Sequence, residues 1–156
     1  MQTTFTVHDI LERACQKEIL SQMLYKDLAQ KMKKQEAADA FNELVKQEFQ
    51  HQLLIEKYIN GDIGEGGLSP EHVVDYKLVE KLEQPEIAPD MELKDVFLVA
   101  AHREKMSHEL YSGLAAMHQS GRIKKLLKEL ASQELKHKQI VESLYSEVAF
   151  PQTDGG

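Results

Sequence analysis

The sequence predicts an all-α protein, an antiparallel four-helix bundle with a long crossover between the second and third helices. Three observations lead to this prediction. Apolar residues recur at helical spacing in four long segments. The connections within each pair of segments are short, whereas about 30 residues separate the two pairs. The same polar residues interrupt the apolar faces of both pairs at the same spacing.

Length and composition describe one globular domain. The chain has 156 residues, of which 42% are hydrophobic and 29% charged, and this excludes a disordered protein. The net charge of −7 comes without a basic stripe, so we expect no nucleic-acid partner. No apolar run reaches the roughly 18–20 residues of a membrane helix, and the first residues are unlike a signal peptide. We therefore expect a cytoplasmic protein with no membrane partner.

The first two helices are predicted from capping residues and apolar periodicity. The first begins near Thr6, whose hydroxyl can cap it, with Asp9 at the N3 position. Phe5 and Ile10 have the spacing of a hydrophobic staple. The second helix is predicted from Gln35 to Asn60. Because the break between them is short, the two helices should be antiparallel neighbours.

The segment from Asn60 to about Met91 has a different composition, with four glycines at its start and two prolines at its end. Within it, Ser69-Pro70-Glu71 predicts the cap and N1 proline of a short helix that continues to about Leu82. The segment is longer than a hairpin needs and suits a crossover along the bundle. The second and third helices should therefore be parallel.

The second pair of helices completes the predicted domain. The third helix is predicted from Glu92 to His118 and the fourth from Arg122 to Val148, with a Ser-Gly break between them. We assign residues 1–150 to one bundle domain, with residues 60–91 as its crossover. The glycine-rich residues 151–156 are expected to be a frayed tail.

Two copies of Glu-x-x-His lie 86 residues apart, at Glu48–His51 and Glu134–His137. On a helix, positions i and i+3 share a face, so a carboxylate and an imidazole can reach one point. A single copy is weak evidence of a metal site, because charged residues are common on helix surfaces. Two copies on apolar faces at matched positions indicate a common site.

A further glutamate and a tyrosine accompany each copy. Glu18 and Glu104 stand 30 residues before the glutamates of the two motifs, and each is followed seven residues later by a tyrosine, Tyr25 or Tyr111. We interpret this pattern as a duplicated helical hairpin that converges on one metal site. Glu109 is a rival to Glu104 as the third-helix ligand, but both spacings favour Glu104.

All six residues fall on the apolar faces of their helices. For any one of these residues alone, an ordinary role as a hydrogen-bonded core residue or a half-exposed residue is about as good an explanation as metal binding. Burying several carboxylates without compensation costs several kcal/mol each, and we expect these faces to carry almost no lysine or arginine. Two divalent cations would balance four carboxylates, with two neutral imidazoles completing the ligand shells. Carboxylate and imidazole ligands without thiolate favour iron or manganese over structural zinc.

With these motifs the chain resembles the ferritin-like superfamily, and within it the rubrerythrin-related branch, over about residues 5–148. The resemblance implies a ferritin-like bundle that holds two iron ions. Manganese is an alternative, and zinc can substitute in a purified sample. The implied metal ligands are Glu18, Glu48, His51, Glu104, Glu134 and His137.

The resemblance also implies a role for each residue. Glu48 and Glu134 would bridge the two ions, the other two glutamates would each bind one ion, and each histidine would cap one ion. Tyr25 and Tyr111 would hydrogen-bond the ligand carboxylates and orient them. Plain aromatic packing is the alternative role for both tyrosines.

The reactions of that family imply a non-haem di-iron oxidoreductase that reduces hydrogen peroxide or oxygen. Two alternatives stay open: an iron-binding protein without turnover, which stores, carries or senses iron, and a bundle whose polar core binds a partner. The duplicated ligand set argues against the second alternative. Full-length rubrerythrins carry a four-cysteine rubredoxin domain, whereas this sequence has one cysteine. Electrons would then come from a separate donor protein such as rubredoxin. A homodimer is also implied, with helix exchange through the crossover left open.

Some positions depart from the family pattern or flank the predicted site. Rubrerythrins have an extra glutamate one turn after the third-helix ligand, where this chain has Ser107, and His108 is a candidate substitute ligand. Cys15 lies one turn before the first ligand, and we expect it to be a small core residue. Arg103 and Lys105 flank the third-helix ligand and are expected to point away from the site.

Overall fold

A computed structural model describes residues 6–62, 75 and 77–150 of the chain. The described residues form four long helices and no strand, which confirms the predicted all-α fold. The helix bounds differ from the predicted ones by no more than two residues. The elements are α1 (Val7–Lys31), α2 (Gln35–Ile59), a 3₁₀ turn (Val79–Lys81), α3 (Leu93–Ala116) and α4 (Arg122–Ala149).

The predicted capping box at the start of α1 is confirmed. The Asp9 backbone N–H donates to the Thr6 hydroxyl at 3.1 Å, and the Thr6 N–H donates to the Asp9 carboxylate at 3.1 Å. At the start of α3, the Glu92 N–H donates to the Asp95 carboxylate at 3.2 Å. Phe5, the first residue of the predicted staple, lies outside the described residues. Local sequence therefore sets the beginnings of both helices.

The helices pack as two antiparallel hairpins, α1 with α2 and α3 with α4. The Lys33 backbone N–H, in the turn between α1 and α2, donates to the Pro89 carbonyl at 2.8 Å. The start of α3 therefore lies beside the start of α2. The two helices run parallel, as the long crossover predicts.

Two apolar clusters fill the two ends of the bundle, and each draws residues from all four helices. One cluster contains Leu11 of α1, Ile55 of α2 and Leu127 of α4. The other contains Phe41 of α2 and Val141 of α4. Along every helix, the predicted metal ligands lie between the residues of these two clusters. The polar site is therefore enclosed by apolar packing on both sides.

A buried lysine holds the described part of the crossover against α4. Lys138 is 1% exposed, and its Nζ lies 2.6 Å from Asp75 Oδ1, 3.0 Å from Glu80 Oε1 and 3.2 Å from Glu142 Oε1. The other Glu142 oxygen accepts the backbone N–H groups of residues 78 and 79 at 2.6 and 3.0 Å. These contacts join a long connection to the helix that carries His137.

The helix predicted from Ser69-Pro70 begins outside the described residues. Near its predicted end, the described residues 77–82 form the 3₁₀ turn Val79–Lys81 and no α-helix. The left-handed φ of 52° at Lys77 and the backbone hydrogen bonds to α4 prevent a continuous helix there. None of the described helices combines the length and apolar character needed to cross a bilayer.

Candidate metal centre

The four predicted glutamate ligands lie in the middle of the bundle, one on each helix. Glu18, Glu48, Glu104 and Glu134 are only 1, 1, 4 and 2% exposed. Each falls on the apolar face of its helix, so packing of the four helices brings the four carboxyl groups inward. The side chain of His51 lies in the same region, on the helical turn after Glu48.

The two histidines join the glutamates from different helices. His51 Nδ1 lies 3.7 Å from Glu18 Oε1. His137 Nδ1 lies 3.8 Å from Glu48 Oε1 and also 3.8 Å from Glu104 Oε1. The two imidazole rings stack, with centroids 3.4 Å apart. All six side chains that the sequence singles out are thus brought together at one place.

Two overlapping groups within this cluster have the spacing of metal ligands. Ligand atoms of Glu48, His51 and His137 lie within 4.8 Å of one another, and so do those of Glu18, His51 and Glu134. The two groups share His51 and together draw on α1, α2 and α4. This arrangement provides two adjacent sets of oxygen and nitrogen donors.

One oxygen of each of the four clustered glutamates has no hydrogen-bond partner among the described residues. The four atoms are the Oε2 atoms of Glu18, Glu48, Glu104 and Glu134. Leaving a buried carboxylate oxygen unpaired costs several kcal/mol. Four such oxygens in one cluster, accompanied by two imidazoles and no thiolate, fit a pair of hard divalent cations. The donor set therefore fits the predicted di-metal site.

The protonation of the cluster reflects its burial. Burial raises the pKa of Glu104 well above its usual range, and the charges of Glu134 and Glu48 raise it further. Burial also raises the pKa of Glu18, despite a hydrogen bond with His51. Burial acts on Glu48 in the same direction, but hydrogen bonds with neighbouring ligands outweigh it and lower its pKa. Burial therefore favours the protonated form of Glu18 and Glu104, and bound cations would compete with those protons.

A lysine also enters the cluster. Lys17 Nζ lies 2.9 Å from Glu134 Oε1 and 3.6 Å from Glu18 Oε1, with 22% of the lysine side chain exposed. Burial lowers the pKa of Lys17, but Glu134, Glu18 and Glu104 outweigh it and raise the pKa, so the amine stays charged. The expectation of almost no cation on these faces is wrong here. With the Lys17 ammonium included, two divalent ions and four carboxylates would leave a net charge of +1 rather than zero.

Arg103 also departs from its predicted orientation. It reaches across to α1, where its Nη2 donates to Ser21 Oγ at 3.2 Å and its Cζ lies 5.8 Å from the centroid of the Tyr25 ring. Lys17 lies in the same way 5.9 Å from the Tyr111 centroid. Lys17 precedes Glu18 and Arg103 precedes Glu104, and each of these cations lies over the tyrosine of the opposite half of the chain.

Both tyrosines are buried beside the carboxylates, at 1% exposure for Tyr25 and 4% for Tyr111. Burial raises the pKa of both phenols, and the negative charge of Glu104 contributes in each case. Both therefore remain protonated at neutral pH and can donate a hydrogen bond. Their hydrogen bonds to ligand carboxylates stay a prediction.

Two residues considered as additional ligands make other contacts. Cys15 is buried in an apolar cluster, with its Sγ 3.8 Å from Glu56 Oε1, as expected of a small core residue. His108 Nδ1 lies 2.8 Å from the Ala131 carbonyl oxygen of α4. None of the potential metal-binding groups among the described residues includes His108. The structure gives no support to His108 as a substitute ligand.

The register of α3 agrees with the spacing argument. Glu109 is exposed and pairs with Lys105 at 3.7 Å, so both point away from the cluster that contains Glu104. The buried Ser107 hydroxyl donates to the Arg103 carbonyl of its own helix at 3.1 Å. Ser107 therefore supplies no carboxylate at the position where rubrerythrins have one.

The space beside the ligands is small. A cavity of about 10 Å³ is bordered by Glu18, His51 and Glu134, together with apolar side chains such as Leu54. This volume is enough for about one water-sized molecule. The space that borders His51 is therefore no larger than one water molecule.

Comparison with known proteins gives one match. The family model described as Rubrerythrin matches residues 9–145, a range that contains all four helices almost in full and all six clustered side chains. No curated protein and no solved structure matches the chain.

Proposed function

Because the chain belongs to the rubrerythrin family, a ferritin-like family of di-iron carboxylate proteins, we propose that it binds two iron ions and reduces hydrogen peroxide or oxygen. The observation that carries this proposal is the set of four buried glutamates, each with an unpartnered oxygen, beside two histidines. Such a donor set is suited to ions that change oxidation state while staying bound. Manganese is the alternative metal, and zinc can substitute in a purified sample.

The proposed roles of the ligands follow from their positions. Glu48 Oε1 lies 3.8 Å from His137 Nδ1, and the neighbouring carboxyl groups of Glu18 and Glu104 act on the pKa of Glu48, so it faces groups from all three other helices. This central position supports a bridging role for Glu48. Glu134 is its counterpart in the second half and also receives the Lys17 ammonium. The remaining glutamates and the histidines would each hold one ion.

The proposed chemistry divides between the ions and the chain. Two ferrous ions, when bound, supply one electron each to the O–O bond of hydrogen peroxide, which with two protons gives two waters. The Lys17 ammonium supplies positive charge and N–H donors beside Glu134. Tyr25 and Tyr111 stay protonated and can hold the ligand carboxylates in place. The apolar clusters on both sides exclude water and strengthen these electrostatic interactions.

We also propose two partners. A separate protein such as rubredoxin would supply electrons, because the one cysteine of this sequence cannot form a four-cysteine iron site. A second copy of the chain would form a homodimer, in keeping with the family. Light scattering would test the dimer, and reduction of the oxidised centre by added rubredoxin would test the electron donor.

Iron binding without turnover is the second candidate function. The observation that favours it is Ser107, whose hydroxyl bonds to its own helix and offers no carboxylate to an ion that shifts on oxidation. A protein with this function would oxidise its iron once and then hold it as a store, carrier or sensor.

Anaerobic loading with ferrous iron followed by mixing with hydrogen peroxide or oxygen separates the two functions. We expect rapid formation of ferric absorption, re-reduction by an added donor and repeated turnover. A slow, single, stoichiometric oxidation would contradict the catalytic proposal. In the same assay Glu48→Ala should lose the two-ion stoichiometry, whereas Glu109→Ala, which changes an exposed glutamate of α3, should keep it.

A further inference from the structure

We propose that the chain binds organic hydroperoxides in an apolar pocket between α1, α3 and α4, and that these are substrates of the metal centre. This inference rests on the proposed function and specifies its substrate class. The pocket has a volume of about 420 Å³. Most of its walls are apolar and come from Ile10 and Ala14 of α1, Leu110 and Leu114 of α3, and Leu127 of α4. Arg13, Lys17, Tyr111 and His118 add polar or charged groups to the lining.

One side chain, Lys17, joins the pocket to the proposed metal centre. Lys17 forms part of the pocket lining, as does Tyr111. The ammonium of Lys17 is also 2.9 Å from Glu134 and 3.6 Å from Glu18. A molecule in the pocket can therefore contact the same ammonium that contacts two proposed metal ligands. A pocket that only stored a lipid would not need an ammonium in contact with the proposed metal ligands.

The size and polarity of the pocket indicate its occupant. Pockets for small organic molecules usually have about 300–1,000 Å³ and mostly apolar walls with a few polar groups. The space beside His51 is only about 10 Å³. Hydrogen peroxide has no apolar tail, so it does not account for a separate apolar pocket of about 420 Å³. An alkyl hydroperoxide matches both features, because its tail suits the leucine walls and its –OOH group can accept from the Lys17 ammonium and the Tyr111 hydroxyl in the lining.

The proposed reaction balances with the electrons of the metal centre. One O–O bond of ROOH breaks, two electrons come from two ferrous ions, and two protons are taken up. The products are an alcohol, ROH, and water. Both ions end in the ferric state, and the donor protein returns the two electrons. The alcohol keeps the tail of the substrate, so it is a redox-inert probe of the same pocket.

Binding of 1-octanol to the metal-free protein tests the pocket without any turnover. We expect saturable shifts of the NMR signals of the Leu114 and Leu127 methyl groups. Leu110→Glu places a carboxylate in the pocket wall at a position that is 54% exposed, so the fold should tolerate it. This variant should bind octanol about tenfold more weakly. Met106→Glu, 66% exposed and one turn earlier on α3, is outside the lining and should bind like the unaltered protein.

Activity of the iron-loaded protein tests the substrate class. Leu110→Glu should lower kcat/KM for 1-octyl hydroperoxide about tenfold and leave kcat/KM for hydrogen peroxide unchanged. Octanol binding without turnover of either peroxide would overturn the proposed function and with it the substrate assignment. Turnover of hydrogen peroxide without octanol binding would overturn this inference alone.

Two further outcomes would assign the pocket to another occupant and overturn the inference. Binding of octanoate in place of octanol would indicate a carboxylate ligand held by the cations. Absence of octanol binding, with a dimer that Leu110→Glu converts to a monomer in light scattering, would show that a second copy of the chain covers the pocket.

Discussion

Replacing Lys17 by methionine separates the charge of this side chain from its packing. Methionine keeps an unbranched apolar stem and removes the ammonium that contacts Glu134 and Glu18. Breaking a buried ion pair by removing one partner costs about 3–5 kcal/mol. The lysine side chain is 22% exposed, while the two glutamates are 3 and 1% exposed. We therefore expect the metal-free variant to lose about 2–4 kcal/mol of unfolding free energy.

The loss should be smaller once metal is bound, because the cations supply positive charge to the same carboxylates. By linkage, the variant should bind metal more tightly. A difference of about 2 kcal/mol between the two losses corresponds to about a 30-fold lower Kd for Mn²⁺ or Fe²⁺.

The pH dependence of this contribution has a defined sign. The pKa of Lys17 is raised in the folded protein because the attraction of Glu134, Glu18 and Glu104 outweighs burial. Its stabilisation is fully present below the ordinary lysine pKa of about 10.4 and is lost as pH rises through the raised folded value. Measurements near pH 7 therefore record the whole contribution.

Urea denaturation with and without chelator, together with metal titration, provides the assay. Lys105→Met is the matched control, because Lys105 pairs with Glu109 on the surface and its removal should cost less than about 0.5 kcal/mol. Equal losses for Lys17→Met with and without metal, or a loss no larger than that of the control, would refute the role assigned to Lys17.

Three further predictions concern stability. Lys138→Ala should lower the unfolding free energy by about 3–5 kcal/mol in urea denaturation, because it leaves Glu142 buried without its cation; a loss as small as that of the surface variant Lys46→Ala would argue against the clamp. Burial first, and then neighbouring carboxylates, raise the folded pKa of Glu104, so its ionisation opposes folding increasingly as pH rises above the unfolded value of about 4.3. Metal-free Glu104→Gln should gain stability over the unaltered protein across that rise, and a constant difference in denaturation across pH would contradict the shift. Thr6→Ala should cost about 1 kcal/mol by thermal denaturation, and no change would mean that the α1 capping box is dispensable.

The sequence predicts the helices and the six clustered side chains because both depend on local periodicity. Residues such as Glu18 and Glu48 share a face with apolar neighbours, and packing of those faces places them inside. The 86-residue repeat then selects which glutamate of α3 belongs to the cluster, and it correctly favours Glu104 over the exposed Glu109. Sequence spacing is enough to predict where a side chain points when the helical backbone sets its direction.

Spacing fails where long side chains or tertiary contacts determine direction. Lys17 and Arg103 each precede a clustered glutamate, and a helical wheel turns both away from the interior. Their long stems bring the charged groups back to the tyrosines. A cation precedes the glutamate at equivalent positions of the repeat, Lys17 before Glu18 and Arg103 before Glu104, and this sequence pattern could have indicated these contacts. The end of the crossover could not be predicted, because the contact between Lys138 and Asp75 joins residues far apart in sequence.

The cations above the two tyrosines have a consequence for the order of metal loading. One half of the chain contributes an ammonium bonded to a carboxylate, Lys17 with Glu134, and the other a guanidinium bonded to a hydroxyl, Arg103 with Ser21. The two proposed ion positions are therefore chemically inequivalent despite the internal repeat. We expect stepwise occupancy, with the first ion entering on the Glu104 side, away from the ammonium. A manganese titration followed by electron paramagnetic resonance should resolve two affinities, and a single affinity for both ions would contradict this expectation.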